Sequence, residues 1–221
     1  MVSSNRIFRR SRLPRLLSGG LWSSAALFGL SLFVIAPSAS YAAGELQKAI
    51  DDASEFATVK LGPGLYEGNI VIRKPLTLVA TQPSAVIKGD GKGSVVTVES
   101  SYVTIEGLEI INSGGEHQTI DSGIAVKNGF NVKIKNNKIH ECLFGVNLEK
   151  SNNCVVEDNQ ISSKKLSLGL RGDGIRLWYS HSNLIIKNHT FQVRDNVFWY
   201  SSGNTVEKNI GRNSRYSLHF M

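Results

Sequence analysis

The 221 residues carry 25 Lys and Arg against 18 Asp and Glu, a formal net charge of +7. Five of the basic residues, Arg6, Arg9, Arg10, Arg12 and Arg15, sit in an opening segment with no acidic residue, and without them 20 basic side chains face 18 acidic ones. The bulk of the chain is therefore near neutral, and its charge makes no case for a nucleic-acid partner.

In chain order, that basic opening runs into the apolar stretch "LWSSAALFGLSLFVIA" (Leu21 to Ala36) and then into the small residues "PSASYAAG". The succession predicts a secretory signal over residues 1–42, cleaved after Ala42, with an exported domain over 43–221. An uncleaved anchor is the other reading, because the apolar run falls only slightly short of a membrane span. A twin-arginine signal is disfavoured, since Arg12 stands where an apolar residue is wanted. No later segment is apolar enough to cross a bilayer.

The first element of the domain is a helix over 45–54, "ELQKAIDDAS", which sets Leu46, Ala49, Ile50 and Ala53 at helical spacing. Short β-rich runs follow, "GNIVI", "KPLTLVA", "SAVIKG", "SVVTV" and "YVTIEGLEII", separated by glycine and proline turns. Between them "GDGKGS" (Gly89 to Ser94) reads as a turn, because it lacks the ending of a phosphate loop and no helix follows.

From residue 131 the chain repeats. Asn137, Asn159, Asn188 and Asn209 each follow an aliphatic residue by three positions, and another asparagine, Asn131, Asn153, Asn183 or Asn204, opens each segment. The anchors lie 22, 29 and 21 residues apart, and the long interval holds an insertion, "SKKLSLGLR" (Ser163 to Arg171). Such a period belongs to stacked coils of short parallel strands, an all-β solenoid with the helix closing its first coil. Asparagine suits the coil corner, where it tolerates left-handed backbone and its amide can bond the amide one coil away.

Gly123, Gly145 and Gly174 precede three of the anchors by fourteen residues and open the strands "GIAV", "GVNL" and "GIRLWYS". Alternation places Ile124, Val126, Val146, Leu148, Ile175 and Leu177 inward and Arg176 and Trp178 outward. The next coil puts Val197 and Trp199 in that outward column. With a further interval of 22, His219 and Met221 follow. The column, with Tyr179 and Tyr200 beside it, is a candidate partner surface of Arg176, Trp178, Tyr179, Trp199 and Tyr200, although aligned aromatics also stabilise neighbouring coils. His219 and Met221 leave one face of a strand, and an imidazole with a thioether suits Cu(I). Trp199 could add a cation–π contact to a bound monovalent ion.

Other chemistry is less pronounced. Cys142 and Cys154 are open between a disulfide, a buried thiol pair and soft metal ligands. Asp121, Asp173 and Asp195 fall near one corner of successive coils with Arg171, Arg176 and Arg194 close by; they read first as turn residues bonding local amides, and second as the acids of a polysaccharide lyase or hydrolase. His117, His140, His181 and His189 have no mutual metal spacing and read as solvated surface.

The ordered motifs "GDGIRLWYS", "RDNVFWYS" and "RYSLHFM", behind "PGLYEGNIVIRKPLTLVA", resemble the NosD family of periplasmic proteins that serve nitrous oxide reductase maturation. That resemblance implies a right-handed parallel β-helix of the pectin-lyase-like type. It further implies copper or sulfur handling for a copper-sulfur centre, beside an ABC transporter, a copper chaperone and nitrous oxide reductase, without catalysis by the chain itself. Members continue through further coils beyond the position of Met221, so the sequence reads as the N-terminal part of a longer repeat protein or a truncated product. A frayed last coil is then expected.

Overall fold

The structure, a computed structural model, describes residues 32–35, 40–42 and 44–221. Most of the expected signal segment, and with it the cleavage and twin-arginine readings, lies outside the described residues. From Glu45 onward the chain winds as a right-handed parallel β-helix, three short strands to a coil, and every pairing between coils is parallel.

Three sheets run the length of the solenoid. The first stacks Leu32–Ile35, Ala57–Leu61, Leu76–Ala80, Thr104–Glu106, Lys133–Lys135, Val155–Glu157, Leu184–Ile186 and Thr205–Glu207. The second stacks Ser40–Tyr41, Gly64–Glu67, Ala85–Lys88, Glu109–Ile111, Lys138–Cys142, Gln160–Ser163, His189–Phe191 and Ile210–Arg212. The third stacks Ile70–Ile72, Val96–Val98, Ser122–Lys127, Phe144–Glu149, Ile175–Trp178, Asp195–Trp199 and Tyr216–Phe220.

The register follows the asparagine spacing. Lys133 lies beside Val155, Val155 beside Leu184 and Leu184 beside Thr205. In the third sheet Ile124, Val146 and Ile175 align, and Arg176, Val197 and His219 continue one row outward. Because strand side chains alternate, this register buries Ile124, Val126, Val146, Leu148, Ile175 and Leu177 in one continuous core.

A helix over Glu45–Asp52 covers the first complete coil. Leu46 and Ile50 are buried beneath it. Gln47 reaches the edge strand Ile70–Ile72, donating from Nε2 to the Val71 carbonyl and accepting the Val71 N–H through Oε1. One amide side chain thus occupies a backbone pair that an unprotected sheet edge would leave free.

The asparagine corner works as expected in one respect and differently in another. Asn137, Asn159, Asn188 and Asn209 form an amide ladder, buried up to its last member, each Nδ2 donating to the Oδ1 of the next at 2.9–3.0 Å. The left-handed residue of this corner, however, is the one before each ladder position: Asn136, Asp158, Lys187 and Lys208 all have φ near +54°. The ladder asparagine itself must turn inward to reach backbone on both sides, and a different residue takes the strained conformation.

The second set of asparagines is likewise displaced by one. Asn183 and Asn204 form a ladder step at 3.0 Å, and Asn183 Oδ1 accepts the N–H of Cys154, so Cys154 rather than Asn153 occupies the ladder position. Asn131 and Asn153 are the left-handed residues of that corner.

Candidate functional site

The Trp-Tyr-Ser triplets divide three tasks among three residues at the end of the third sheet. Trp178 lies beside Trp199 in register, their rings 5.1 Å apart and tilted by 51°. Tyr179 and Tyr200 each take a left-handed φ of +48°, which turns the chain out of the sheet. Their rings stack at 4.9 Å and only 16°, and both are largely exposed. Ser180 is fully buried: its Oγ accepts the N–H of Ser151, and Ser201 Oγ accepts the N–H of Ser180. This hydroxyl ladder had no signal in the asparagine spacing, yet it fixes where the aromatic column points.

The tryptophans are half-buried rather than solvent-facing. Trp178 packs edge-on against both Tyr179 and Tyr200, so the exposed part of the aromatic surface is the tyrosine pair. Arg176 bends over this packing, its Cζ 4.9 Å from the Trp178 ring centroid and 6.0 Å from that of Trp199.

Beside the aromatic column, a cavity of about 210 Å³ opens on the same face. Its charged wall is built across coils. Asp173 is clamped by Arg194 of the next coil through Nε and Nη2, and Asp195 by Arg215 of the coil after that. These two aspartates therefore differ from Asp121, which does hold its own turn by accepting the Glu116 N–H and the Thr119 hydroxyl. A cross-coil guanidinium clamp replaces the local amide contacts expected for Asp173 and Asp195. Each carboxylate is thus engaged by an arginine from a neighbouring coil.

The clamps act differently on the two acids. Burial pushes the Asp173 carboxyl above its ordinary range, outweighing the Arg194 charge. Burial also works against the Asp195 carboxylate, but hydrogen bonds from Arg215 and from the Tyr216 N–H hold it below the ordinary range. A depressed carboxyl contributes stability that is complete above its unfolded pKa of about 3.9 and is lost as pH falls through the lower folded value. Asp195→Asn is thus expected to lower the melting temperature at pH 7 more than Asp173→Asn does. Below about pH 4 the Asp195→Asn deficit should shrink toward zero in a pH series of melting curves.

His219 and Met221 lie where the spacing put them. His219 pairs with Val197, and the ladder continues through Met221, whose N–H donates to the Phe198 carbonyl. His219 Nδ1 stands 3.4 Å from Asp195 Oδ2, the side chain is partly exposed and it lines the cavity. Met221 is 62 % exposed, and the register sets it beside Trp199. No three His, Cys, Asp or Glu side chains are grouped to hold a metal among the described residues.

Both cysteines are free and buried, with no disulfide between them. Burial pushes each thiol up to about 11, leaving no appreciable thiolate at neutral pH. Three histidines are more engaged than solvated surface implies. His140 Nε2 meets Glu109 at 2.6 Å, and His181 Nδ1 accepts the Ser202 N–H. His117 Nε2 contacts the Leu170 carbonyl of the inserted loop while its ring packs edge-on against Phe144 in the cavity wall. His189 is exposed.

Comparison with known proteins assigns residues 84–191 to the family described as "Right handed beta helix region" and residues 162–221 to that described as "Periplasmic copper-binding protein (NosD)". A "Probable ABC transporter binding protein NosD" of Pseudomonas aeruginosa is 33% identical over 61% of this chain and 32% of its own length. Its namesake in Stutzerimonas stutzeri is 28% identical over 62% and 31%. The chain thus spans about a third of the length of these curated relatives.

Among solved structures, an alginate lyase from Paenibacillus aligns with a TM-score of 0.64 at 18% identity, covering 78% of this chain and 65% of that one. The A-module of an Azotobacter vinelandii mannuronan C-5 epimerase aligns at 0.60 and 19%, covering 78% and 52%. At these identities the likeness is one of fold. No helix among the described residues is long and apolar enough to cross a membrane.

Proposed function

As this chain is a NosD-family β-helix protein, we propose that it acts as a periplasmic accessory protein that receives Cu(I) for the maturation of nitrous oxide reductase. The observation that carries this reading is the placement of His219 and Met221. His219 pairs with Val197 in the last strand and Met221 follows that strand's end at Phe220; an imidazole and a thioether two positions apart are a donor pair matched to a soft monovalent ion. The carboxylate of Asp195 at the other ring nitrogen supports it, since such a partner fixes the tautomer of a ligating histidine and frees Nε2 for metal. Two donors leave coordination positions for solvent or for a donor from a partner, as cargo transfer requires. Here copper is cargo and not a resident cofactor.

The stacked Tyr179 and Tyr200, with Arg176, Trp178 and Trp199 behind them, form the surface on which a partner would dock. The names of the curated relatives support an ABC transporter as one such partner. A copper chaperone and nitrous oxide reductase itself complete the set. Competition of the protein with a chromophoric Cu(I) chelator tests the copper reading. One Cu(I) per chain is expected, with affinity reduced by more than about tenfold in His219→Ala and in Met221→Leu. Equal affinities in wild type and both variants would remove these residues from the site.

A further inference from the structure

The cavity beside the aromatic column holds more hydrogen-bond donors than acceptors. Arg176 has five N–H donors, and its contact within the protein is with Asn147 Oδ1 at 2.9 Å. No carboxylate lies within ion-pair distance of it among the described residues, because Asp173 and Asp195 are taken by Arg194 and Arg215. Asp173 and Glu149 act on it only from farther away. Arg194 and Arg215 spend Nε and Nη2 on their carboxylates, and each keeps a free Nη1 edge.

A second feature points the same way. The indole Nε1 of Trp199, a cavity-wall residue, is buried without an acceptor. A covered donor left unpaired is destabilising unless something meets it. Ile120, Phe144 and Val197 supply apolar wall around these donors, where charge-assisted hydrogen bonds are stronger than in open water.

We propose that this cavity binds a small oxyanion, a carboxylate or a tetrahedral group such as sulfate, received by the Arg176 guanidinium with the free edges of Arg194 and Arg215 and the Trp199 indole N–H. The two aspartates in the same wall do not oppose it, since each is neutralised by its own arginine and Arg176 remains as the surplus cation. A planar guanidinium fork matches such anions in two parallel hydrogen bonds, which a lysine in its place would not do. The site shares its cavity with His219 but is measured on metal-free protein, so either reading can fail without the other.

Titration calorimetry at constant ionic strength, with sodium chloride making up the balance, compares sodium sulfate with sodium galacturonate. A saturable one-site heat is expected for at least one of them; sulfate points to an inorganic oxyanion, galacturonate to an acidic sugar. Arg176→Gln is expected to weaken it by about tenfold or more, and Trp199→Phe, which keeps the ring contact but loses the donor, by several-fold. Absence of saturable heat with both anions would overturn the proposal. So would unchanged affinity in Arg176→Gln or in Trp199→Phe, each with a wild-type circular dichroism spectrum.

Discussion

Asn159→Ala is expected to lower the unfolding free energy by about 3–5 kcal/mol, read as a shift in the denaturant midpoint at unchanged slope. Asn159 lies fully buried inside the amide ladder. Its Oδ1 accepts both the backbone N–H and the Nδ2–H of Asn137, and its Nδ2 donates to the Ile134 carbonyl and to Asn188 Oδ1. Truncation strands the Asn137 donors and the Ile134 carbonyl where water does not reach. Leaving buried partners unmet costs more than the removed bonds would contribute, which is why the effect exceeds that of a single hydrogen bond. Asn209→Ala is the comparison. Asn209 makes the same contacts except the onward amide bond, at a half-exposed position where water can replace it, so it should cost less than half as much.

Gly145→Ala is expected to cost about 3 kcal/mol or more, at the upper end of overpacking, with soluble yield falling in parallel. A Cβ on Gly145 would stand 2.3 Å from the Gly174 carbonyl oxygen and 2.3 Å from Ile161 Cγ2. The first of these is backbone in the neighbouring coil, held there because the Gly174 carbonyl accepts the Val146 N–H and the Gly174 N–H donates to the Asp195 carbonyl. Coil spacing would have to open, and the parallel register of the third sheet with it. Gly115→Ala supplies the contrast, since its Cβ would meet nothing within 4 Å and should change the midpoint very little. Position 145 is therefore a glycine because the next coil's backbone at Gly174 and Ile161 of the second sheet approach too closely there for any side chain.

Most of the solenoid was legible because its repeat is a matter of counting. Spacings of 22, 29 and 21 between the asparagine anchors are the offsets between bonded partners in adjacent coils. Carrying the column forward from Trp178 through Trp199 leads to His219 beside Val197 and to Met221, whose backbone bonds Phe198 and Tyr200 on either side of Trp199. Counting fails where two residue types exchange duties. Asn153 and Asn183 look equivalent in the sequence, but one is the left-handed turn residue and the other the ladder member, because asparagine is competent for both. Ser151, Ser180 and Ser201 passed unnoticed since a short hydroxyl satisfies the same type of corner without resembling an amide.

The cavity was harder to foresee. Its ion pairs join residues 20 and 21 positions apart, with the arginine offset from the aspartate of its own coil, so superposing the triplets misaligns Asp173 and Asp195. His117 reaches the wall from a loop outside the repeat, through a contact with the inserted loop 53 residues away. Neither loop has a periodicity from which that meeting could be predicted. Half-burial of the tryptophans also follows from three-dimensional packing: outward-facing rings on adjacent coils cover one another and are covered by the tyrosines that turn the corner.

The copper reading is tested most directly at the metal itself, by X-ray absorption on the protein loaded with one equivalent of Cu(I) in that chelator competition. One imidazole nitrogen and one thioether sulfur in the first coordination shell are the predicted result, with the sulfur signal lost in Met221→Leu and the imidazole signal in His219→Ala. A shell of oxygen and nitrogen alone, or one that neither substitution alters, would contradict it.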